Sequence, residues 1–122
     1  MLYNAINFND KFNLFNELWN PKVISEMNDY QFKLVKIQGD FQWHCHRYTD
    51  ETFIVLTGKI KIRFRDGEVT LNEGEMYVVP KGKEHKPCAE NLAKILIIEP
   101  RGVVNTGDSN KSNLTADNDI WI

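Results

Sequence analysis

The stretch Trp43-His44-Cys45-His46-Arg47-Tyr48-Thr49-Asp50-Glu51 holds two of the three histidines in the chain. His44 and His46 are separated by one residue, so in an extended strand they point to the same face and Cys45 points to the other. Glu51 follows after a short loop that resets the alternation, so its carboxylate can return to the histidine face. The stretch therefore predicts two imidazoles and a carboxylate close to one point.

The remaining histidine, His85, lies behind the rigid turn Pro80-Lys81-Gly82. Three imidazoles and one carboxylate suit Fe, Mn, Ni, Co or Zn, whereas magnesium and calcium prefer oxygen ligands. A single histidine on a strand is more often a surface or hydrogen-bonded residue than a ligand. Because every histidine of the chain falls in these two places, we expect one divalent transition metal ion, with two open positions for a substrate. The candidate ligands are His44, His46, Glu51 and His85.

Composition predicts an ordinary globular protein. The chain has 122 residues, 42% of them hydrophobic, and a net charge of −2, which gives no reason to expect nucleic acid or an anionic membrane as a partner. We find neither an apolar run long enough to span a bilayer nor a signal peptide. Cys45 and Cys88 are therefore expected to be reduced thiols, read as packing residues, and the expected location is the cytoplasm.

Two kinds of periodicity divide the chain. Large apolar residues recur at helical spacing near the N-terminus, at Phe8, Phe12, Phe15, Leu18 and Trp19. They predict a short helix that packs on the rest of the protein and ends at Asn20-Pro21, within a segment spanning residues 1–21.

From Lys22 onward the period changes to two, and turn residues such as Asn28-Asp29 and Asp66-Gly67 separate short β-prone runs. Residues 22–100 are therefore predicted to form eight or nine antiparallel strands in an all-β sandwich or small barrel. The expected runs are 23–27, 30–38, 41–46, 52–56, 59–65, 68–71, 75–79, 84–88 and 93–99. Residues 101–122 are expected to form an irregular tail whose apolar end docks on the barrel or on a second subunit.

Alternation also gives candidates for a substrate pocket. It places Phe53, Val55, Phe64 and Met76 inside, and Tyr77 is the remaining candidate. No arginine or further histidine is expected to face inward, which disfavours a sugar phosphate as substrate. Tyr48, Tyr77 and Glu99 are possible acids or bases that the sequence does not place.

The spacing of these residues resembles that of the cupins. The first cupin motif runs from Gly through His-x-His and Glu to a second Gly. Here it is matched by Gly39, four residues, His44-Cys45-His46, four residues, Glu51, six residues and Gly58. The second motif is matched by Gly74, five residues, Pro80-Lys81-Gly82, two residues and His85, with Ala89 where the family has Asn. The other departure is one residue fewer after Gly39.

The resemblance implies a double-stranded β-helix, or jelly-roll barrel, with a short N-terminal helix and an irregular C-terminal tail. It also implies that the four candidate ligands bind a metal and that the protein is a homodimer. The single-domain form is most similar to cupins described as mannose-6-phosphate-isomerase-like.

Cupins have many functions, so two hypotheses stay open. The first is a small-molecule metalloenzyme of the dioxygenase or isomerase type. The second is a non-catalytic cupin that binds or senses a small ligand at the same metal. A purely structural metal is less favoured, because such sites are usually tetrahedral and rich in thiolates.

Overall fold

The computed structural model describes residues 2–122, which form one short helix and seven strands. In chain order these elements are α1 (Phe8–Phe12), β1 (Lys22–Met27), β2 (Tyr30–Asp40), β3 (Glu51–Thr57), β4 (Ile60–Phe64), β5 (Gly67–Leu71), β6 (Met76–Val79) and β7 (His85–Pro100). Each of the strand pairings is antiparallel. The prediction of an all-β fold with a short N-terminal helix is confirmed.

The long strand β7 connects the two halves of the sheet. Its C-terminal half lies between β2 and β3, so that Ile95 is opposite both Val35 and Val55. Its N-terminal end pairs with β4, where His85 is opposite Phe64. The sheet order is β1-β2-β7-β3-β6, with the β4–β5 hairpin attached through β7. One strand thus carries a candidate ligand at its start and core residues along its length.

Two hydrophobic clusters form, one on each face of the sheet. The interior cluster includes Val35, Val55 and Ile95, and the outer cluster joins Phe12 and Phe15 to Ile24, Leu34 and Leu96. Strands β2 and β7 contribute to both clusters, so they are buried on both faces. The helix α1 covers the outer face through Phe12, which is 1% exposed.

The helix ends earlier than the apolar spacing predicts. It begins after Asn7, whose side chain accepts a hydrogen bond from the backbone N–H of Asp10, and it ends at Phe12. Leu18 instead forms a parallel bridge with Lys36, and the Trp19 N–H donates to the Lys36 carbonyl at 2.9 Å. Pairing with the sheet therefore replaces the later helical turns.

Three strand predictions also need correction. Residues 41–46 do not form a continuous strand, because in this segment only His44 pairs, with His85. The predicted runs 84–88 and 93–99 belong to the single strand β7. The β4–β5 turn lies at Arg65-Asp66, one residue earlier than expected, because Phe64 pairs with Gly67.

Residues 101–122 follow the barrel as turns and loops. Near the end of this tail, Trp121 forms a bridge with Val23, and Ile122 packs against the outer cluster. The Ile122 carbonyl accepts a hydrogen bond from Lys11 Nζ at 2.9 Å. No helix in the described part of the chain is long and apolar enough to cross a membrane.

Candidate metal centre

The four candidate ligands lie together at one point inside the barrel. Their ligand atoms are all within 4.8 Å of one another. His44 and His46 lie in the loop after β2, Glu51 begins β3 and His85 begins β7. All four are 5% exposed or less, so the group is shielded from bulk water.

Backbone hydrogen bonds align the loop of His44 and His46 with the start of β7. The His44 N–H donates to the His85 carbonyl at 3.0 Å, and the His85 N–H donates back at 2.9 Å. The Gly82 N–H donates to the His46 carbonyl at 2.8 Å. The turn at Pro80-Lys81-Gly82 therefore positions both His85 and His46.

The C-terminal tail holds the same loop from its other side. The Asp108 N–H donates to the Cys45 carbonyl at 2.9 Å, and the Asp108 carboxylate accepts from the Arg47 N–H at 2.8 Å. Gly107 has a φ of +62° and lies directly against the loop. A Cβ at this position would collide with the Cys45 carbonyl and lie 3.1 Å from His46 Nδ1. Only glycine fits this contact without displacing the loop.

Two imidazoles are held in one tautomer by backbone carbonyls. His44 Nδ1 lies 3.0 Å from the Gln42 carbonyl oxygen, and His85 Nδ1 lies 2.9 Å from that of Lys83. Because a carbonyl can only accept, Nδ1 carries the hydrogen in each ring. Each ring therefore keeps Nε2 for the cluster, which is the arrangement that metal-ligating histidines require.

The charges of the cluster also suit a cation. Burial, together with the neighbouring His85, lowers the pKa of His44 from 6.5 to about 4, so this imidazole is neutral at physiological pH. Burial alone would raise the pKa of Glu51, but its contacts with His46 and His85 outweigh burial and hold this pKa well below its usual range. The cluster thus combines an ionised carboxylate with the neutral imidazole of His44.

One carboxylate oxygen explains why a cation fits here. Glu51 Oε1 lies 3.3 Å from Nε2 of both His46 and His85. The contact of His85 Nε2 with this oxygen is long for a hydrogen bond, and His46 Nε2 has no hydrogen-bond partner within the described chain. Two ligands about 2.1 Å from one ion and about 90–110° apart lie about 3.0–3.4 Å from each other. A divalent ion between these atoms would therefore satisfy all of them.

A small cavity opens beside the cluster, next to His44 and Glu51. The cavity has a volume of about 40 Å³, which is enough for about three waters. Its polar lining residues among residues 2–122 are Lys33, His44, Glu51, Glu99 and Asn105, and its other lining residues are apolar.

Lys33 was not identified from the sequence, and Glu99 was identified without a position. Lys33 has the same parity along β2 as the interior residues Val35 and Ile37, and that shared parity is the signal that could have found it. Burial, reinforced by the charge of Glu51, raises the pKa of Glu99 well above its usual range. Lys33 and Glu99 thus form a second polar wall that the alternation of residues did not predict.

The predicted pocket residues lie in different places, and only one of them lines the cavity. Phe53 lines the cavity, whereas Val55 lies in the interior core and Phe64 is half-buried at its edge. Met76 is 55% exposed, and its inward placement is wrong because it lies opposite Ile54, whose side chain packs on the outer face. Tyr77 shares the interior face with Phe53 but is 36% exposed at the rim.

Tyr48 lies outside the cavity. It is 79% exposed and lines an open depression on the side of His46 that faces the tail. The two cysteines, Cys45 and Cys88, are free thiols, and neither belongs to the cluster.

Comparison with known proteins identifies the family. The family model described as "Cupin domain" matches residues 32–99. The crystal structure of a cupin-2 domain containing protein from Shewanella frigidimarina NCIMB 400 is 65% identical, with a TM-score of 0.79, and the match covers 80% of this chain and 95% of that one.

Two further likenesses are narrower. The uncharacterized protein YdbB of Bacillus subtilis (strain 168) is 41% identical over 64 residues, which are 52% of this chain and 57% of YdbB, so the chain spans little more than half of this curated relative. A hydroquinone 1,2-dioxygenase from Sphingomonas sp. TTNP3, solved with 4-hydroxybenzoate bound, is 17% identical with a TM-score of 0.62 over 72% of this chain and 69% of that one. The latter likeness shows the fold alone. Because the family model matches more than half of the sequence, the chain belongs to the cupin family.

Proposed function

We propose that this cupin is a metal-dependent enzyme of the dioxygenase or isomerase type that acts on a small molecule. The observation that supports the proposal is the buried group of three histidines and one glutamate beside a mostly apolar cavity. When bound, Fe, Mn, Ni, Co or Zn would supply Lewis-acid or oxygen-activating chemistry.

The residues of the chain would bind, orient and shield the reacting groups. His44, His46, Glu51 and His85 would hold the ion as three neutral nitrogens and one anionic oxygen. The backbone carbonyls that accept from Nδ1 fix two of the rings, so little reorganisation is needed when the ion binds. The apolar walls of the cavity exclude water and strengthen polar interactions inside it.

The substrate would approach from the side of His44 and Glu51, because these two ligands line the cavity. The cavity is small, which favours a compact substrate with a largely apolar body. The shared fold of a hydroquinone 1,2-dioxygenase makes oxygen consumption the first activity to assay.

Elemental and mass analysis of the native protein tests the proposal. We expect about one equivalent of a transition metal per chain and loss of that metal when His44→Ala and His85→Ala are combined. Cys45→Ala is the matched control, because Cys45 lies between two ligands but outside the cluster. A full equivalent of metal in the double variant would refute the site.

Reconstitution of the protein with each ion then distinguishes a metalloenzyme from a non-catalytic binding protein. Oxygen uptake or isomerisation of small hydroxylated compounds by the loaded protein would support catalysis. Tight binding of a co-purified ligand without turnover by any loaded form would instead favour the sensing alternative.

A further inference from the structure

The cavity beside the metal cluster has a second polar wall, formed by Lys33 and Glu99. The two side chains are 4% and 3% exposed, and Lys33 Nζ lies 3.7 Å from Glu99 Oε2. Both residues line the cavity, which also contacts the ligands His44 and Glu51. The Lys33–Glu99 pair is therefore within the same small space as the cluster.

The pair has unused hydrogen-bonding capacity. An ammonium has three donors, and the hydrogen bond from Lys33 Nζ goes to the Val103 carbonyl at a long 3.3 Å. The separation from Glu99 exceeds the length of a normal hydrogen bond. The Glu99 carboxyl contacts Lys33 and the candidate ligand Glu51, and its two oxygens offer more hydrogen-bonding sites than these two contacts use. Buried polar groups normally have partners, so both side chains have capacity to bind a ligand.

The other polar residue on the wall is already satisfied. The Asn105 side chain donates to the carbonyls of Trp19 and Leu114 and accepts from the Ala116 N–H. It therefore has little capacity for a ligand. Lys33 and Glu99 are left as the groups that can select a ligand by its polar atoms.

We propose that Lys33 and Glu99 together bind the hydroxyl group of a small, uncharged ligand whose second oxygen faces the metal cluster. A hydroxyl accepts from the Lys33 ammonium and donates to the Glu99 carboxyl through the same oxygen. It is thus the smallest group that bridges a donor and an acceptor too far apart to bond directly. The inference rests on the proposed metal-dependent function and specifies its substrate class as hydroxylated carbonyl compounds or alcohols.

An anionic ligand fits this wall less well. A carboxylate can accept from Lys33, but only a hydroxyl can both accept and donate at one oxygen. It would also place negative charge in a cavity that already contains the carboxyls of Glu51 and Glu99. The apolar remainder of the lining matches a short hydrocarbon body.

The test compares three small ketones of similar size. Hydroxyacetone carries the hydroxyl, methoxyacetone replaces its hydrogen with a methyl group, and pyruvate replaces the alcohol with a carboxylate. Binding to Co²⁺-loaded protein is followed by the visible absorption of the ion. We expect hydroxyacetone to bind at least about tenfold more tightly than either analogue, as expected for a hydrogen bond to a buried charged group.

Variants then test whether Lys33 and Glu99 cause the preference for hydroxyacetone. Lys33→Met and Glu99→Gln should each reduce it to within about twofold, while Lys36→Met should preserve it. Lys36 is a matched control because it lies on the same strand but donates to the Phe15 carbonyl on the outer face.

The outcomes separate the two proposals. Failure of wild-type protein to bind Co²⁺ would overturn the metal site itself. A full equivalent of Co²⁺ with no binding of hydroxyacetone, equal binding of the three ketones, or tighter binding of pyruvate would overturn only the hydroxyl inference. The comparison in wild-type protein does not depend on the stability of any variant. Retention of the preference in both Lys33→Met and Glu99→Gln would also overturn it.

Discussion

Substituting Gly107 should damage the metal site from outside the ligand set. In Gly107→Ala, the new Cβ would lie 2.9 Å from the Cys45 carbonyl carbon and 3.1 Å from His46 Nδ1, in addition to colliding with the Cys45 oxygen. The φ of +62° adds about 1–2 kcal/mol of backbone strain for a residue with a side chain. Overpacking against the loop adds about 1–3 kcal/mol. We therefore expect the free energy of unfolding to fall by about 2–5 kcal/mol.

Metal affinity should fall as well, because the new Cβ would displace the loop that carries His46. Loss of a contact that orients a ligand typically costs about 10–100-fold in metal affinity. Competition with a chromophoric chelator measures this affinity, and urea unfolding of the metal-free protein measures stability.

Gly102→Ala supplies the matched control. Gly102 lies in the same tail at a φ of +93°, but no atom lies within 4 Å of its ideal Cβ. This variant should show backbone strain alone, with metal affinity within about twofold of wild type. Equal metal affinities for the two variants would show that Gly107 does not position His46.

Three further predictions concern protonation, the core and the metal. Because burial lowers the pKa of His44 to about 4, the unfolded chain takes up this proton first as the pH falls. The free energy of unfolding of metal-free protein should therefore decrease by up to about 3 kcal/mol between about pH 6.5 and 4, and His44→Gln should flatten this slope in urea titrations. Ile62 is 0% exposed, so Ile62→Ala should lower the free energy of unfolding by about 2–5 kcal/mol. The exposed substitution Lys61→Ala should lower it by under about 0.5 kcal/mol in the same assay. Zn²⁺ at about a hundredfold excess over its Kd should add about 2.7 kcal/mol and raise the thermal midpoint, and Glu51→Ala should abolish this shift in calorimetry.

Local patterns predicted the elements in which one face is buried and the other exposed. In β4, Ile60 and Ile62 are buried and alternate with exposed Lys61 and Arg63, so the period of two is visible in the sequence. The hairpin at Asn28-Asp29 was also predictable, because Asn28 adopts the positive φ of 56° that such a turn requires.

The clustering of the four candidate ligands was predictable for a different reason. The motif spacing places His44 and His46 one residue apart, and a rigid turn precedes His85. These are local features of the sequence. The barrel needs only to pair His44 with His85 to bring the group together.

The second polar wall was not predictable from alternation alone. Strands β2 and β7 are buried on both faces, so apolar residues occur at odd and even positions alike. Lys33 therefore resembles the half-buried outer residue Lys36 in the sequence, although only Lys33 points into the barrel. The direction of each side chain depends on the strand register, which long-range pairing determines.

The placement of Met76 failed for a related reason. Strand β6 lies at the edge of the sheet, and its parity is set by the pairing of Phe53 with Tyr77. Counting residues from the turn before β6 placed Met76 on the interior face instead of Tyr77. A shift of one residue exchanges the two faces of a strand.

The contact of the tail with the histidine loop also determines when the metal site is complete during protein synthesis. Every candidate ligand is translated by residue 85, but Gly107 and Asp108, which hold the loop around Cys45, follow later. A nascent chain that has just exposed its histidines therefore has an incomplete site. We expect stable metal uptake only after the tail has emerged from the ribosome and docked.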